Sequence, residues 1–416
     1  MVLNTLTLKP VLTTNEFLAC YEGTIDSNFA NILNLDFNIN LKYQNDRICP
    51  IVQFAKPEDA KEIAHIFKTV YKGTYPYKNM EDIDEISKMI NSPNYVWFLF
   101  KLDSEENVGC FGARLDFDQK RGFLYGFVIK RDYHKIIDFG KALVGCVLYF
   151  WNTYKKKVRV WYGEMRTNEA TSQLFTSRIG MKPLAFFPNK DVFFNKIESD
   201  ILSVTYDDRV LNSLRCKSTP KIIRQILNCY VYTNKRYHLG TPNIENPTLI
   251  FDAELLNEIK GKIVKISEKD RFDNELITLS IKDSNSFFKF LYNPFSKNFE
   301  KTKYKVERLE ELVIFLQELT DLIQKMNINY FQCFVSSYEP SHQKIFYDGG
   351  FIPRGYIPSW YYNKESNIFE DRVVFNCYKG DIDNNIKLIP ETEDLIENLK
   401  ISIEKAIPDF SNLFQE

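Results

Sequence analysis

The sequence has little of what metal centres and disulfide frameworks require. Only four histidines occur among 416 residues, and the eight cysteines include no CxxC pair. Most cysteines lie inside apolar runs, as Cys146 and Cys333 do, so we expect reduced core thiols. These shortages exclude a zinc-ribbon or disulfide-scaffold protein and predict that no metal cofactor is bound.

The sequence also has almost no charge surplus and no long hydrophobic run. Lys and Arg number 54 against 55 Asp and Glu, giving a net charge of −1. A nucleic-acid partner would require a basic surplus. The apolar runs are too short for a membrane span, and Asn4, Lys9 and Asn15 interrupt the first of them. We therefore expect a cytoplasmic protein with no nucleic-acid and no membrane partner, as a monomer or homodimer.

Aromatic residues are abundant at 15% of the chain, and its length predicts two or three domains with large cores. The most informative stretch covers residues 122–188. Its hydrophobic pattern predicts a strand over Gly122–Lys130, a helix over Ile136–Asn152 and a strand over Lys157–Met165. A short helix over Glu169–Ile179 follows, with Gly180 at its C′ position. A strand that leads into a helix N-terminus is a place where phosphate binds.

An earlier strand over residues 50–54, followed by the helix opening Pro57-Glu58-Asp59-Ala60, completes a recognisable order. This layout resembles the GNAT superfamily of N-acetyltransferases, in particular the branch that includes β-lysine acetyltransferase-like proteins. The resemblance implies an α/β (α+β) fold, with a mixed, mostly antiparallel twisted sheet flanked by helices. It also implies acetyl-CoA as co-substrate and an acceptor amine on a small molecule, a protein lysine or a protein N-terminus.

In that family a splayed strand offers backbone groups to pantetheine, and the next turn, Arg/Gln-x-x-Gly-x-Gly/Ala, wraps the pyrophosphate. The turn here is Lys135 to Gly140. Asp138 stands where the family has glycine, which places a carboxylate and a Cβ beside the pyrophosphate. The resemblance assigns acetyl-CoA binding to Phe127, Val128, Lys135, Phe139, Gly140, Lys141 and Asn168.

The resemblance also gives candidate residues for catalysis and for acceptor binding. Glu164, at a strand end, is the candidate general base, and the alternative is an ordinary surface glutamate. Tyr75 and Tyr77 are candidate acceptor contacts, and the alternative is simple packing. Asn168 either holds pantetheine or caps a helix. The family's tyrosine acid corresponds to Thr176, which is a poor acid at neutral pH.

The sequence contains an internal repeat. Five residues recur at one offset of 170 positions, namely Glu169/Glu339, Gln173/Gln343, Gly180/Gly350, Pro183/Pro353 and Pro188/Pro358. Asp207–Val210 also echoes Glu370–Val373. Two copies predict two similar domains. The second copy is expected to be degenerate, because no glycine lies between its strand over Phe287–Tyr292 and its helix over Val306–Met326.

The resulting domain prediction has five parts. They are an N-terminal extension (1–48), a GNAT-like acetyltransferase domain (49–215), a connector (216–246), a degenerate GNAT-like domain (247–380) and a C-terminal helix (381–416, helical over Glu391–Ile407). Within the connector we predict a helix over Thr219–Leu227 and a strand over Tyr230–Arg236.

Three functions fit these observations. The first is acetyl transfer from acetyl-CoA to an amine. The second is a catalytically inactive GNAT-fold pseudoenzyme that serves as a binding or scaffold module, which Asp138 and Thr176 favour. The third is an aminoacyl-tRNA-dependent transferase, against which the near-neutral charge argues. Transferase activity is not expected if the Asp138 side chain or ordinary sheet pairing occupies the splayed backbone donors.

Overall fold

A computed structural model describes residues 5–6, 12–22, 32–33, 35, 38–39, 47–382 and 386–399. The chain divides into two compact units. The first comprises residues 1–183, 193–195 and 202–214, and the second comprises residues 184–192, 196–201 and 215–416. The predicted domain boundaries, including the one after residue 215, stay a prediction.

The chain as far as residue 212 consists of strands and helices that follow the predicted order between residues 50 and 193. Its elements are β1 (Thr5–Leu6), α1 (Thr14–Cys20), β2 (Ile32–Leu33), β3 (Asn38–Ile39), β4 (Ile51–Phe54), α2 (Ala60–Tyr71), α3 (Ile83–Asn91), β5 (Tyr95–Lys101), β6 (Asn107–Asp116), β7 (Arg121–Ile129), α4 (Phe139–Tyr154), β8 (Val160–Arg166), α5 (Ala170–Arg178), β9 (Lys182–Phe193), β10 (Lys196–Tyr206) and α6 (Asp208–Asn212).

The sheet of the first unit has the order β2-β4-β5-β6-β7-β8. Its neighbours are antiparallel except for the parallel pair β7–β8. Helix α4 is buried along most of its length, and its side chains share a core with Trp161 and Phe111. Helices α2 and α3 form a second core with Trp97 and Val128. The mixed, mostly antiparallel sheet flanked by helices confirms the predicted fold class.

The rest of the chain begins with a helical connector and continues into a second sheet. Its elements are β11 (Lys221–Ile222), α7 (Leu227–Tyr237), β12 (Asn243–Ile244), α8 (Ala253–Gly261), β13 (Ile263–Lys269), β14 (Glu275–Ile281), β15 (Phe287–Asn293), β16 (Asn298–Lys305), α9 (Leu309–Lys325), β17 (Tyr330–Ser336), α10 (Pro340–Asp348), β18 (Ile352–Asn363), β19 (Ile368–Tyr378) and α11 (Pro390–Asn398).

The sheet of the second unit has the order β13-β14-β15-β16-β17-β19-β18. Only β16 and β17 are parallel among its described neighbours. Gly355 of β18 pairs with Ala185, which belongs to the same unit. Among the described residues of the whole chain, no helix has both the length and the apolar character needed to cross a membrane.

Two predictions for the connector are wrong. Tyr230–Arg236, expected as a strand, lies in α7. Its aromatic and β-branched residues favour a strand locally, but Ile226, Cys229, Tyr230 and Thr233 are buried at helical spacing, so packing decides for the helix. The predicted helix over Thr219–Leu227 contains β11 and a short 3-10 turn instead. Part of the predicted C-terminal helix, residues 400–407, lies outside the described residues.

Four elements recur with matching lengths. Strands β8 and β17 have seven residues each, α5 and α10 nine, and β9 and β18 twelve, and each pair begins 170 positions apart. Strands β10 and β19 have eleven residues each and begin 172 positions apart. The echo of Asp207–Val210 in Glu370–Val373 does not fit this spacing, because Asp207 follows β10 whereas Asp371 lies inside β19. That part of the predicted repeat is wrong.

The recurring glutamines and glycines have the same structural task in both copies. Gln173 Nε2 lies 3.3 Å from the carbonyl oxygen of Arg166, and Gln343 Nε2 lies 2.8 Å from that of Ser336. Each carbonyl belongs to the last residue of the preceding strand. Gly180 and Gly350 follow with φ angles of 88° and 84°, which favour glycine.

Replacing Gln343 with methionine tests this role. The Gln343 side chain is fully buried, and its Oε1 accepts a hydrogen bond from the Ile223 amide at 3.0 Å. We expect Gln343→Met to lower the free energy of unfolding by about 1–3 kcal/mol, because that buried amide loses its partner. The matched control is Gln324→Met at an exposed position of α9, where urea unfolding should detect less than about 0.5 kcal/mol. Equal losses in both variants would contradict the assigned role.

Candidate active site between splayed strands of the first unit

The parallel strands β7 and β8 meet at one end only. Their register pairs Arg121 with Val160, Gly122 with Trp161 and Phe123 with Tyr162. Leu124, Tyr125, Val128 and Ile129 of β7 stay paired with β6, and none of residues 124–129 has a partner on β8 in this register. The two strands therefore diverge, and one backbone edge of β7 is available for an extended ligand.

A β-bulge at Gly126 shapes β7 beside this opening. The register against β6 shifts between Cys110 and Gly112. Gly126 has a φ of 66°, and a Cβ there would lie 2.7 Å from the Trp97 ring. Both observations require glycine at this position. Past the bulge, Phe127 packs with the α4 core and Val128 with the α2–α3 core.

The structure allows Phe127 and Val128 to offer their backbone rather than their side chains. The Phe127 ring lies 5.8 Å from that of Phe100 and 5.3 Å from that of Phe111. Val128 is only 4% exposed. Backbone contacts are the kind that the resemblance implies for these two residues.

The N-terminus of α4 is partly occupied by the chain itself. Asp138 is its N-cap, and its Oδ1 accepts a hydrogen bond from the Lys141 amide at 2.9 Å. The Asp138 amide donates to the Ile48 carbonyl at 2.8 Å. This cap is why the helix begins at Phe139, three residues after the predicted start at Ile136. The Asp138 carboxylate thus occupies an amide of α4 rather than the splayed backbone donors of β7, and β8 pairs with β7 only as far as Phe123.

The other residues expected at this turn have different environments. Lys135 is exposed, whereas Gly140 and Lys141 are buried. The Phe139 ring lies 5.5 Å from that of Phe175. As the first two helical residues, Phe139 and Gly140 have amides without an acceptor inside the helix. Binding of a diphosphate by these two amides and Lys135 stays a prediction.

Glu164 lies on the opened part of β8. It is partly buried, and strand alternation places it on the same face as Tyr162 and Arg166. The Tyr162 ring stacks on Phe123 at 4.9 Å, across the last paired position of the two strands. The Glu164 carboxylate therefore lies just beyond the Phe123–Tyr162 pair, where β7 and β8 separate. The inner end of a ligand bound between the two strands would lie at this point.

Tyr75 and Tyr77 lie in an aromatic cluster at the end of α2. The Tyr75 ring lies 4.8 Å from Phe67, 4.6 Å from Tyr71 and 6.0 Å from Phe193. Tyr77 follows at 5.8 Å from Tyr75. Both tyrosines are partly buried, so packing accounts for part of their role. Part of each tyrosine is still exposed, so contact with the acceptor stays a prediction.

Sequence reasoning missed a group of arginines and aromatic rings next to Glu164. The guanidinium carbon of Arg166 lies 4.2 Å from the ring centre of Phe193 and 5.6 Å from that of Phe194. The same guanidinium donates a hydrogen bond to Tyr71, whose pKa is raised to about 12 mainly by burial, with Arg166 opposing the shift. The signal in the sequence was the Phe193-Phe194-Asn195 turn between two strands.

Two further side chains have limited chemical roles in this structure. The Thr176 hydroxyl donates to the carbonyls of Ser172 and Gln173 at 2.9 and 3.0 Å, so its proton is engaged by its own helix. Asn168 precedes α5, but the N-cap position belongs to Glu169. Within the described residues, no group of three or more His, Cys, Asp or Glu is placed to hold a metal ion.

The sequence matches no protein-family model and no curated protein. Parts of the chain are similar in fold to solved acetyltransferases. A spermidine N-acetyltransferase from Vibrio cholerae is 9% identical, with 39% of this chain and 95% of that chain covered at a TM-score of 0.32. A probable acetyltransferase from Staphylococcus epidermidis is 15% identical, with 37% and 97% covered at 0.32. A probable acetyltransferase of the GNAT family from Chromobacterium violaceum is 11% identical, with 38% and 88% covered at 0.30.

Similarities this low carry no argument for activity or substrate. The function therefore has to be inferred from the geometry of the site itself.

The bulge at Gly126 can be tested through stability. Gly126→Ala is expected to lower the free energy of unfolding by about 2–4 kcal/mol, because it combines left-handed strain with overpacking against Trp97. Gly73→Ala is the matched control, since Gly73 has a φ of 72° but nothing within 4 Å of an added Cβ. It should lose only about 1 kcal/mol in the same urea titration. A loss at Gly126 no larger than at Gly73 would show that the close approach to Trp97 is unimportant.

Proposed function

We propose that the first unit is an acyl-CoA-dependent N-acyltransferase that transfers an acetyl group to an amine. The observation that carries this proposal is the divergence of β7 and β8 after the Phe123–Tyr162 pair. An extended pantetheine arm with two amides fits along the exposed edge of β7 as an added strand would. The Gly126 bulge bends β7 at the point where the thioester would lie.

The chemistry required of the protein is modest. The amine nitrogen attacks the thioester carbon, a C–N bond forms and the C–S bond breaks. Glu164 takes the proton that the amine loses, directly or through water. Backbone N–H groups of β7 stabilise the carbonyl oxygen as it becomes negative. The thiolate is a tolerable leaving group and takes its proton from water, so the engaged Thr176 hydroxyl is not needed.

Asp138 weakens the diphosphate site without removing it. An N-cap hydrogen bond is worth about 1 kcal/mol, so rotating this carboxylate away lowers affinity by roughly fivefold. The amides of Phe139 and Gly140 and the exposed Lys135 remain for the diphosphate. We therefore place the enzyme ahead of the alternative. That alternative is a GNAT-fold scaffold without CoA affinity, and the Asp138 cap is the observation that favours it.

We further infer that the second unit is a degenerate copy of the same fold. Its parallel strands β16 and β17 pair at two positions, Asn298 with Tyr330 and Phe299 with Phe331, against three positions in β7 and β8. Beyond them the Thr302 hydroxyl donates to the Gln332 carbonyl at 2.7 Å and bridges the opening. At the N-terminus of α9, the Glu311 carboxylate accepts hydrogen bonds from two backbone amides. These contacts bridge β16 and β17 and engage the backbone amides just before α9.

Isothermal titration calorimetry with two ligands distinguishes the proposed pantetheine site along β7 from the proposed diphosphate site at the start of α4. The wild-type protein should bind acetyl-pantetheine weakly and acetyl-CoA more tightly. Asp138→Asn keeps the cap but removes the charge, so we expect acetyl-CoA affinity to rise about three- to tenfold and acetyl-pantetheine affinity to stay constant. Asp132→Asn, an exposed carboxylate before the same turn, is the control. No binding of acetyl-CoA at millimolar concentration would favour the scaffold.

The role of Glu164 is tested by kinetics. Glu164→Gln should lower kcat/KM by about 10²- to 10⁴-fold while acetyl-CoA affinity stays unchanged, because the amine then lacks its base. Glu58→Gln, at an exposed position next to α2, is the control. A thiol-release assay with a primary amine measures both variants. Glu164 is not the base if its replacement leaves the rate within about threefold of wild type.

A further inference from the structure

We propose that the second unit contains a binding site for a small, singly charged carboxylate, held by the buried side chain of Arg354. This residue belongs to β18, and both lie in the second unit. The proposed acyl transfer assigns no chemistry to this unit, so the carboxylate site does not depend on it. What points to the site is a buried positive charge that the described part of the chain leaves without a counter-charge.

Arg354 is a buried cation without an acceptor. It is 3% exposed, and its Nε is enclosed with no hydrogen-bond partner. Within the described residues it forms no ion pair, and its guanidinium carbon lies 5.9 Å from the centre of the Tyr378 ring. A cation–π contact of this length compensates weakly for five N–H donors on a group that stays protonated. Because buried polar groups nearly always have partners, these surroundings point to an anionic ligand.

The groups around Arg354 do not supply a negative charge. Its charge interacts with Tyr378, Tyr330 and Cys229, and with no carboxylate of the described ranges. Phenols are neutral at neutral pH. The Cys229 thiol is neutral as well, because burial raises its pKa to about 12. The Tyr378 hydroxyl is enclosed and also has no hydrogen-bond partner in the described structure, so two unpartnered polar groups lie next to each other.

A β-bulge places Arg354 in β18. Pro353 pairs with Phe375 and Gly355 pairs with Val374, so Arg354 is an extra residue between two successive pairs. Bulges of this kind redirect a side chain and are frequent next to active sites. The bulge therefore interrupts the regular alternation of side chains at the position that carries the charge.

The first copy of the repeat shows that packing at this position does not require a charge. Leu184 in β9 lies 170 positions before Arg354 in β18, which is the offset between the starts of the two strands. Leu184 is fully buried. An arginine at such a position has to leave water with its charge, and burial accordingly lowers the pKa of Arg354. An anionic ligand offsets that cost, and a leucine cannot bind one.

The charge and the geometry of the site restrict the ligand. No second cation of the described chain acts on Arg354, so the site balances one negative charge. A planar carboxylate accepts two parallel hydrogen bonds from a guanidinium, which a spherical ion cannot do. A phosphate carries nearly two charges at neutral pH and would leave one of them unbalanced. The rings of Tyr378 and Tyr330 suit an apolar remainder, as in butyrate or benzoate.

Calorimetry with matched ligands tests the site in the full-length protein. Butyrate and benzoate should bind with a Kd of about 1 mM or lower, and the neutral butyramide and benzamide about tenfold more weakly or worse. Arg354→Leu, which introduces the residue of the first copy, should abolish carboxylate binding. Arg354→Lys keeps the charge without the planar fork and should bind about tenfold more weakly than wild type. Arg224→Leu, at an exposed position of the second unit, is the control.

Urea unfolding gives a second readout. At ten times the Kd, butyrate should lower the unfolding equilibrium constant of the wild-type protein by about tenfold, because it binds the folded state. Arg354→Leu should show no such change. Without ligand this variant should be at least as stable as wild type, since it removes an unbalanced buried charge. If Arg354→Leu does not fold, Arg354→Lys and the comparison of acids with amides still decide the question.

Several results would refute the carboxylate site. They are an absence of stabilisation by either carboxylate, amides that bind as tightly as the acids, and butyrate binding by Arg354→Leu equal to that of wild type. Chloride or phosphate that binds more tightly than both carboxylates would also refute it, because the ligand would then be an inorganic ion. A large loss of stability in ligand-free Arg354→Leu would show that the chain itself balances the charge. None of these measurements involves acetyl transfer, so failure of the proposed function would leave them unaffected.

Discussion

The site depends on how two parallel strands are held together at one end and kept apart at the other. At the closed end Trp161 lies across Gly122, where a Cβ would come within 2.2 Å of the indole ring. At the open end the Gly126 bulge turns β7 towards Trp97. The close packing of Gly122 against Trp161 and of Gly126 against Trp97 therefore determines where β7 and β8 separate. The proposed roles of the β7 edge and of Glu164 follow from where the two strands separate.

The helix after the fork shows a compromise between stability and binding. An aspartate at an N-cap stabilises α4 but places negative charge where an anionic ligand would benefit from the helix dipole. The size of the N-cap energy decides whether Asp138 abolishes diphosphate binding or only weakens it. A cap is worth about 1 kcal/mol, which weakens a diphosphate site and does not abolish it. In the second unit, α9 begins beside Glu311, which is buried and accepts hydrogen bonds from Ser286, Glu307 and Arg308, so contacts within the chain stabilise that helix start.

Local patterns predicted most of the framework. Helical spacing of apolar residues and strand propensity placed α2, α4, α9 and the strands around them close to their observed positions. The repeated glutamines follow only in part from local chemistry, since each donates to the last carbonyl of the strand before it but Gln343 also accepts from the distant Ile223 amide. Where local propensity and packing disagreed, as in α7, the sequence interpretation failed, because burial at helical spacing outweighs the strand preference of tyrosine and valine.

The sequence by itself determined the order of elements, the predicted fold class and the positions of Glu164 and Asp138. Only the tertiary structure decided which backbone edge stays unpaired, that Asp138 turns onto the Lys141 amide, and that Arg131, Arg166 and Phe194 converge. The reason is that periodicity reports which face of an element is buried. It does not report which distant segments meet at a strand end, and the contacts of Phe194 with Arg166 and Arg131, 28 and 63 positions away, depend on how the sheet is assembled.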